Sequence, residues 1–112
     1  MDKRIPEAVL PEGYNGKILL VSIGSAGIED HVVLRSGDDW HREILRNTEA
    51  EIRGYGIDPA RVHELGGAWV EFDEDGNIVI YGFSDEFGAC DKTVAAGFLR
   101  CLYPERTVRI AD

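Results

Sequence analysis

The chain has 112 residues, of which 44% are hydrophobic and 29% charged, a composition typical of one globular domain with its own core. Its 12 Lys and Arg against 21 Asp and Glu give a net charge of −9. Such an acidic chain is not expected to bind nucleic acids or anionic membranes, because both need basic side chains that neutralise phosphate groups.

Short apolar segments and few cysteines indicate a cytoplasmic protein. The longest apolar run, Ile18–Val21, is far shorter than a membrane span, and no apolar segment of a secretion signal follows residues 1–6. The two cysteines, Cys90 and Cys101, form no CxxC pair, so we expect no structural zinc site. We expect both to be small buried residues on one helix, about 16 Å apart and too distant for a disulfide.

The first third of the chain is predicted to form an arm and two strands. Residues 1–16 are punctuated by proline and glycine and read as an N-terminal arm, with Ile5, Val9 and Leu10 as apolar anchors. The domain itself is predicted to cover 17–112. Residues 17–23 are rich in branched apolar side chains, which favours a central strand buried on both faces. A turn at 24–27 precedes an antiparallel return strand at 31–35.

A helix is predicted over 38–54. Ser36 and Asp39 have the spacing of a capping box, and Gly54 and Gly56 are helix terminators. One face of this helix is predicted to be buried, because the following residues recur at helical spacing: His41, Ile44, Leu45, Thr48, Ile52 and Tyr55.

The second half of the chain predicts four strands and one more helix. The strands are expected at 62–65, 68–73, 77–82 and 107–110, with a hairpin turn at Glu74–Gly76 and a bend or bulge at Gly66–Gly67. The second helix is expected at about 89–103, with a buried face made of Cys90, Val94, Phe98, Cys101 and Leu102. The sequence thus predicts an α+β (α/β-like) fold: a single mixed sheet of about six strands with two amphipathic helices packed on it.

None of the three histidines has the spacing of a metal site. His41 is nevertheless a candidate catalytic residue because of its position. It lies in the first helical turn, where the helix dipole disfavours imidazolium and so favours the neutral ring that a general base needs. Asp38 and Asp39 act in the opposite direction. A core-edge histidine satisfied by hydrogen bonds is the alternative reading.

The loop Phe83–Gly88 follows an apolar strand and precedes a predicted helix. Backbone N–H groups at such a junction can bind an anion, and Ser84 adds a hydroxyl donor. A plain helix N-cap explains the same residues.

Several short motifs, spread over 17–110, resemble the Janus/Ocnus family, whose best-known members are the protein histidine phosphatases. They are Lys17-Ile-Leu-Leu-Val, Val33-Leu-Arg35, Trp40-His41, Leu65-Gly-Gly67, Ile78-Val-Ile-Tyr-Gly-Phe-Ser84, Phe87-Gly88 and Leu102-Tyr-Pro104. The resemblance implies a mixed sheet with two helices, which agrees with the pattern of elements.

The resemblance also implies a site. His41 matches the family's catalytic histidine, which follows an aromatic residue, here Trp40. The residues matching substrate-binding positions are Lys17, Arg35, Trp40 and the loop residues Ser84, Asp85 and Glu86. Departures from the family pattern are Trp69 in place of a basic residue, Phe83 in place of a tyrosine, and the two acidic loop residues.

The function implied by this resemblance is that of a metal-independent phosphatase that needs no cofactor, and a cytoplasmic monomer is the default expectation for the chain. It would hydrolyse phosphohistidine, with phospholysine as a second candidate, in proteins or peptides. His41 would act as the general base that activates water, although a nucleophilic role for it stays open. The alternative, suggested by Asp85 and Glu86, is a catalytically inactive family member that binds basic or phosphorylated peptides.

Overall fold

The computed structural model describes residues 5–25 and 28–111. Within this part of the chain there are two α-helices, five strands and one short 3₁₀ helix. In chain order they are β1 (Gly16–Ser25), β2 (Ile28–Ser36), α1 (His41–Gly54), the 3₁₀ helix (Pro59–Arg61), β3 (Val62–Phe72), β4 (Ile78–Tyr81), α2 (Lys92–Leu102) and β5 (Val108–Ile110). The predicted turn at 24–27 includes residues 26 and 27, which lie outside the described residues.

The five strands form one mixed sheet in the order β2-β1-β3-β4-β5. Only the β4–β5 pair is parallel among these strands; the other pairs are antiparallel. The predicted α+β fold, with one mixed sheet and two helices, is therefore confirmed. The strand count differs because the predicted strands 62–65 and 68–73 are the two halves of β3. Gly66, with φ +106°, forms a bulge that keeps the strand continuous, and the β1–β3 register shifts beside it.

Each helix covers one face of the sheet, so the protein has two cores separated by β1 and its neighbours. Ile18 and Leu20 of β1 pack on the α2 side, whereas Leu19 and Val21 pack on the α1 side. All four side chains are at most 2% exposed. The prediction that this strand is buried on both faces is confirmed, since β1 lies inside the sheet with a helix on each side.

Residues 7–9 pair with the outer edge of β2. The backbone of Leu34 exchanges hydrogen bonds with Glu7 and Val9, at 2.8 and 3.0 Å. Ile5 enters the core on the α1 side and Leu10 the core on the α2 side, as expected of anchors, but Val9 is 39% exposed and is not one. The division into an arm at 1–16 and a domain at 17–112 stays a prediction.

Helix α1 begins three residues later than predicted. Its N-cap is Trp40, which offers no capping side chain, and the Ser36 hydroxyl donates to the carbonyl of Val9 instead. The predicted capping box is therefore wrong. The predicted buried face is largely confirmed, since four of its six members are buried, namely His41, Ile44, Thr48 and Ile52.

Helix α2 differs more from its prediction. It begins at Lys92, with Asp91 as a capping side chain, and it buries Ala95, Ala96 and Leu99. The predicted face is confirmed only in part: Cys90 and Phe98 pack against the core, but small alanines, rather than the other apolar residues, allow this helix to lie close to the sheet. Val94, Cys101 and Leu102 are exposed, while Cys90 is buried just before the helix. Both cysteines are free, and neither helix is long and apolar enough to cross a membrane.

The bulge at Gly66 generates a stability prediction. A Cβ atom at this residue would lie 2.6 Å from the carbonyl oxygen of Ala89, and its positive φ disfavours any side chain. We expect Gly66→Ala to lower the free energy of unfolding by about 1–3 kcal/mol, measured by urea denaturation. The matched control is Gly97→Ala in α2, where no atom lies within 4 Å of the added Cβ. It should leave stability unchanged or raise it by up to about 1 kcal/mol.

Candidate functional site

The candidate site is a cavity of about 220 Å³ where the N-terminus of α1 meets β1, β3 and the loop after β4. This volume equals that of roughly seven water molecules in the liquid, which suits a small anion with part of its carrier. The side chains around the cavity come from four separate segments: Lys17, Trp40, His41, Arg42, Trp69, Phe83, Asp85 and Glu86. Five of the seven residues predicted from the sequence are thus brought together, and two are not.

His41 is the first residue of α1 and is 3% exposed. Its Nε2 lies 3.1 Å from the carbonyl oxygen of Ala68 in β3. A carbonyl oxygen only accepts hydrogen bonds, so Nε2 must carry the proton. In the neutral ring Nδ1 is then the nitrogen with a free lone pair, as a general base requires.

Gly67 makes room for this imidazole. A Cβ atom there would lie 2.5 Å from both Cδ2 and Nε2 of His41, too close for any side chain. The backbone of Gly67 also accepts a hydrogen bond from Cys90 N and donates one to Gly88 O, at 3.1 and 2.9 Å. Gly67 therefore leaves space for the His41 ring and also attaches the loop after β4 to the sheet.

The surroundings of His41 favour its neutral form. Burial lowers the pKa of the imidazole below its ordinary value, and the positive charge of Lys17 lowers it further. The backbone carbonyls of Ala68 and Ile18 and the carboxylate of Glu86 raise the pKa of His41 without reversing the shift. The ring is therefore held uncharged around neutral pH and ready to accept a proton.

Lys17 supplies a positive charge beside this base. Its Nζ lies 4.8 Å from the centroid of the Trp40 ring and 5.2 Å from that of Trp69, so two indoles flank the ammonium. The contact follows from the sheet register, since Lys17 and Trp69 are cross-strand partners. No carboxylate among the described residues forms an ion pair with Lys17. The aromatic rings thus position the charge without neutralising it.

The loop Ser84–Gly88 is closed on itself. Ser84 and Gly88 exchange two backbone hydrogen bonds, and the Ser84 hydroxyl accepts from the amides of Glu86 and Phe87, at 3.2 and 3.1 Å. Ser84 is 1% exposed and does not line the cavity. The loop is also separated from α2 by residues 89–91, so it does not form the expected N-terminus of that helix.

Arg42 meets the acidic loop from α1. Its Nε donates to Oε2 of Glu86 at 2.7 Å, and its Nη2 lies 2.6 Å from the same oxygen. Asp85 lines the cavity as an exposed carboxylate. One of the two acidic departures from the family pattern is therefore balanced by a cation from the neighbouring helix.

Arg35 does not reach the cavity. It is 4% exposed, and its Nε and Nη2 donate to the two carboxylate oxygens of Glu51, at 2.8 and 2.9 Å. Glu51 follows His41 by ten residues along α1, or about 15 Å of helix. The guanidinium therefore ties β2 to the far part of α1.

Four residues that line the cavity or shape it have no functional assignment from the sequence: Arg42, Gly67, Trp69 and Phe83. Arg42 follows the spacing of a solvated helix face, and its only sequence signal was the unbalanced acidic pair in the loop. Gly67 is predicted only as part of a bend or bulge, although its backbone is extended and its lack of a side chain is what matters. Trp69 was noted only as a departure, yet its place opposite Lys17 follows from pairing of the two strands.

Comparison with known proteins assigns the family. The sequence model of the Janus/Ocnus family (Ocnus) matches residues 3–107. The sex-regulated protein janus-A of Drosophila yakuba is 29% identical over 107 residues, which are 93% of this chain and 76% of that protein. The janus-A proteins of Drosophila simulans and Drosophila melanogaster are each 28% identical over the same shares. The family match extends over nearly the whole chain, including the segments that carry Lys17, His41 and Gly67, and the chain belongs to the Janus/Ocnus family.

Proposed function

We propose that this protein is a metal-independent phosphatase that hydrolyses phosphohistidine in proteins or peptides. The observation that carries the proposal is the pairing of two groups in one cavity. His41 is held neutral with its Nε2 bonded to the Ala68 carbonyl, and Lys17 presents an ammonium without a carboxylate partner among the described residues. A neutral base next to a free cation is what attack of water on a phosphoryl group requires.

The reaction proposed is a displacement at phosphorus. Nδ1 of His41 takes a proton from water as the water oxygen bonds to phosphorus and the P–N bond of the substrate breaks. The leaving imidazole nitrogen receives its proton from solvent or from the His41 imidazolium. Because Nε2 is anchored to a backbone carbonyl, the ring does not need to reorient during this transfer.

Lys17 stabilises the negative charge on the phosphoryl oxygens. Its ammonium is placed by two rigid rings, so little reorganisation accompanies substrate binding. The same charge lowers the pKa of His41, which connects the two groups electrostatically.

Exposed aromatic side chains support phosphohistidine over phospholysine. Trp40 and Phe83 are 63% and 58% exposed at the edge of the cavity. Flat apolar faces of this kind stack well on an imidazole ring, whereas a lysine side chain offers no ring. A second cavity of about 320 Å³ shares Trp40, Arg42 and Glu86 with the first and offers space for the rest of a peptide.

A second candidate function is a binding module for basic or phosphorylated peptides that has lost catalysis. Two features of the loop after β4 favour this function. The Ser84 hydroxyl accepts hydrogen bonds from two amides of its own loop, and Asp85 places an exposed carboxylate beside the cavity. Under either function we propose a cytoplasmic monomer. The free thiols of Cys90 and Cys101 suit a reducing compartment.

Substitution of His41 tests the enzymatic role. We expect His41→Gln to lower kcat on a phosphohistidine peptide by about 10²–10⁴, because the base is removed while an amide N–H can still donate to Ala68. The assay is release of inorganic phosphate in the presence of EDTA, with thermal unfolding as the check on folding. His63→Gln is the matched control, since His63 is exposed on β3 and does not line the cavity.

Full activity of His41→Gln would contradict the assignment. Binding of a phosphohistidine peptide without turnover by the unaltered protein would support the binding module instead. Trapping of a phosphorylated His41 during turnover would replace the base by a nucleophile.

The lowered pKa of His41 predicts a pH profile. The acidic limb of kcat/KM should have its midpoint below the ordinary histidine value of 6.5, because burial favours the neutral base. Lys17→Gln should move this limb to higher pH, since the Lys17 charge contributes to the shift. Lys92→Gln, at the start of α2, should leave it in place. If Lys17→Gln left the midpoint of the acidic limb unchanged, the titrating group would not be His41.

The same shift predicts how stability depends on pH. Between the lowered pKa and 6.5 the unfolded chain binds more protons than the folded one, so the contribution of His41 to stability rises with pH through this window. The stabilising contribution of His41 is complete above pH 6.5 and is lost as the pH falls towards the lowered pKa of the folded state. The difference in urea midpoint between the unaltered protein and His41→Gln should therefore narrow on acidification.

A further inference from the structure

Stabilisation of a phosphoryl group usually involves more than one cation, whereas the proposed reaction uses Lys17 alone. Arg35 is committed to Glu51 away from the cavity. Among the described residues, the one other cation lining the cavity is Arg42. It follows His41 directly in α1, so the first helical turn carries both the base and a guanidinium.

Arg42 faces Glu86 with the Nε–Nη2 edge of its guanidinium, the edge with which arginine commonly binds phosphate. Both Nε and Nη2 contact one oxygen, Oε2, rather than the two oxygens of the carboxylate. Phosphate oxygens match this edge with two parallel hydrogen bonds. The pair is also open to solvent, with side chains 60% and 30% exposed, and ion pairs of this kind contribute little stability.

We propose that Arg42 is a second cationic ligand for the phosphoryl group and that its guanidinium stays paired with Glu86 until substrate enters the cavity. The inference rests on the phosphoryl site of the proposed function. On substrate binding, the guanidinium exchanges the single carboxylate oxygen for two phosphoryl oxygens. A phosphoryl group carries more negative charge than a carboxylate, so the exchange is favourable.

The contact with Glu86 also explains why an acidic loop is compatible with an anion site. The charge of Glu86 raises the pKa of His41, so this carboxylate lies within electrostatic range of the base. Without Arg42 it would repel an incoming phosphoryl group. The two side chains form a neutral pair in the resting protein, and on substrate binding the guanidinium of Arg42 turns from Glu86 to the phosphoryl group.

Titration of inorganic phosphate into ¹⁵N-labelled protein, followed by amide chemical shifts, tests this inference without turnover. Arg42→Gln should weaken phosphate binding roughly ten- to a hundredfold, because a charged donor pair is lost. Arg42→Lys should recover only part of the affinity, since an ammonium lacks the fork. Glu86→Gln should tighten binding severalfold, because the competing carboxylate is removed.

Two matched variants separate direct contact from through-space charge. Arg46→Gln removes a cation from the same helix, where Arg46 pairs with Glu43 and does not line the cavity. Asp85→Asn removes a carboxylate from the cavity edge. Both should change phosphate affinity less than Arg42→Gln and Glu86→Gln do. In an Arg42→Gln background, Glu86→Gln should have no more effect than Asp85→Asn.

The inference is overturned if the unaltered protein does not bind phosphate, if Arg42→Gln behaves like Arg46→Gln, or if Glu86→Gln has the same effect in both backgrounds. Its failure is distinguishable from that of the proposed function. Arg42-dependent phosphate binding in a protein without turnover would keep the inference and remove the enzyme. Turnover that depends on His41 but not on Arg42 would keep the enzyme and remove the inference.

Discussion

The site depends on the absence of a side chain at Gly67. The imidazole of His41 lies where a Cβ atom would be, and only this close approach brings Nε2 to the carbonyl of Ala68. Hydrogen bonds from the same backbone to Gly88 and Cys90 hold the neighbouring loop. The helix, the sheet and the loop therefore meet at one glycine, so the position of the His41 imidazole, its tautomer and the cavity wall depend on one another.

Three cationic side chains of this acidic protein differ in their burial and in their partners. Arg35 is buried against Glu51 and links a strand to a helix, while Lys17 is held between two indoles and keeps its charge available. Arg42 is paired at the cavity edge in a contact that solvent reaches. Burial and the choice of partner, rather than the presence of positive charge, decide which cation is available to an anion in the cavity.

Periodicity predicted much of the fold, because burial on both faces of β1 and on one face of α1 leaves clear patterns of apolar residues. It failed for α2, where Ala95 and Ala96 make the contact and small residues give a weak signal. The resemblance to the family placed His41 and Lys17 near each other, but it could not reveal the partners of Arg35. Ion pairs such as those of Arg35 and Arg42 join residues distant in sequence, and nothing local in the chain encodes them.

The most direct test of this account is the protonation state of the His41 ring, read from a long-range ¹H–¹⁵N correlation spectrum at neutral pH. We expect a neutral imidazole with the proton on Nε2 and a free lone pair on Nδ1. In Gly67→Ala the ring should be displaced and this signature altered, because the added Cβ occupies its place. An imidazolium, a proton on Nδ1, or an unchanged spectrum in Gly67→Ala would contradict the account.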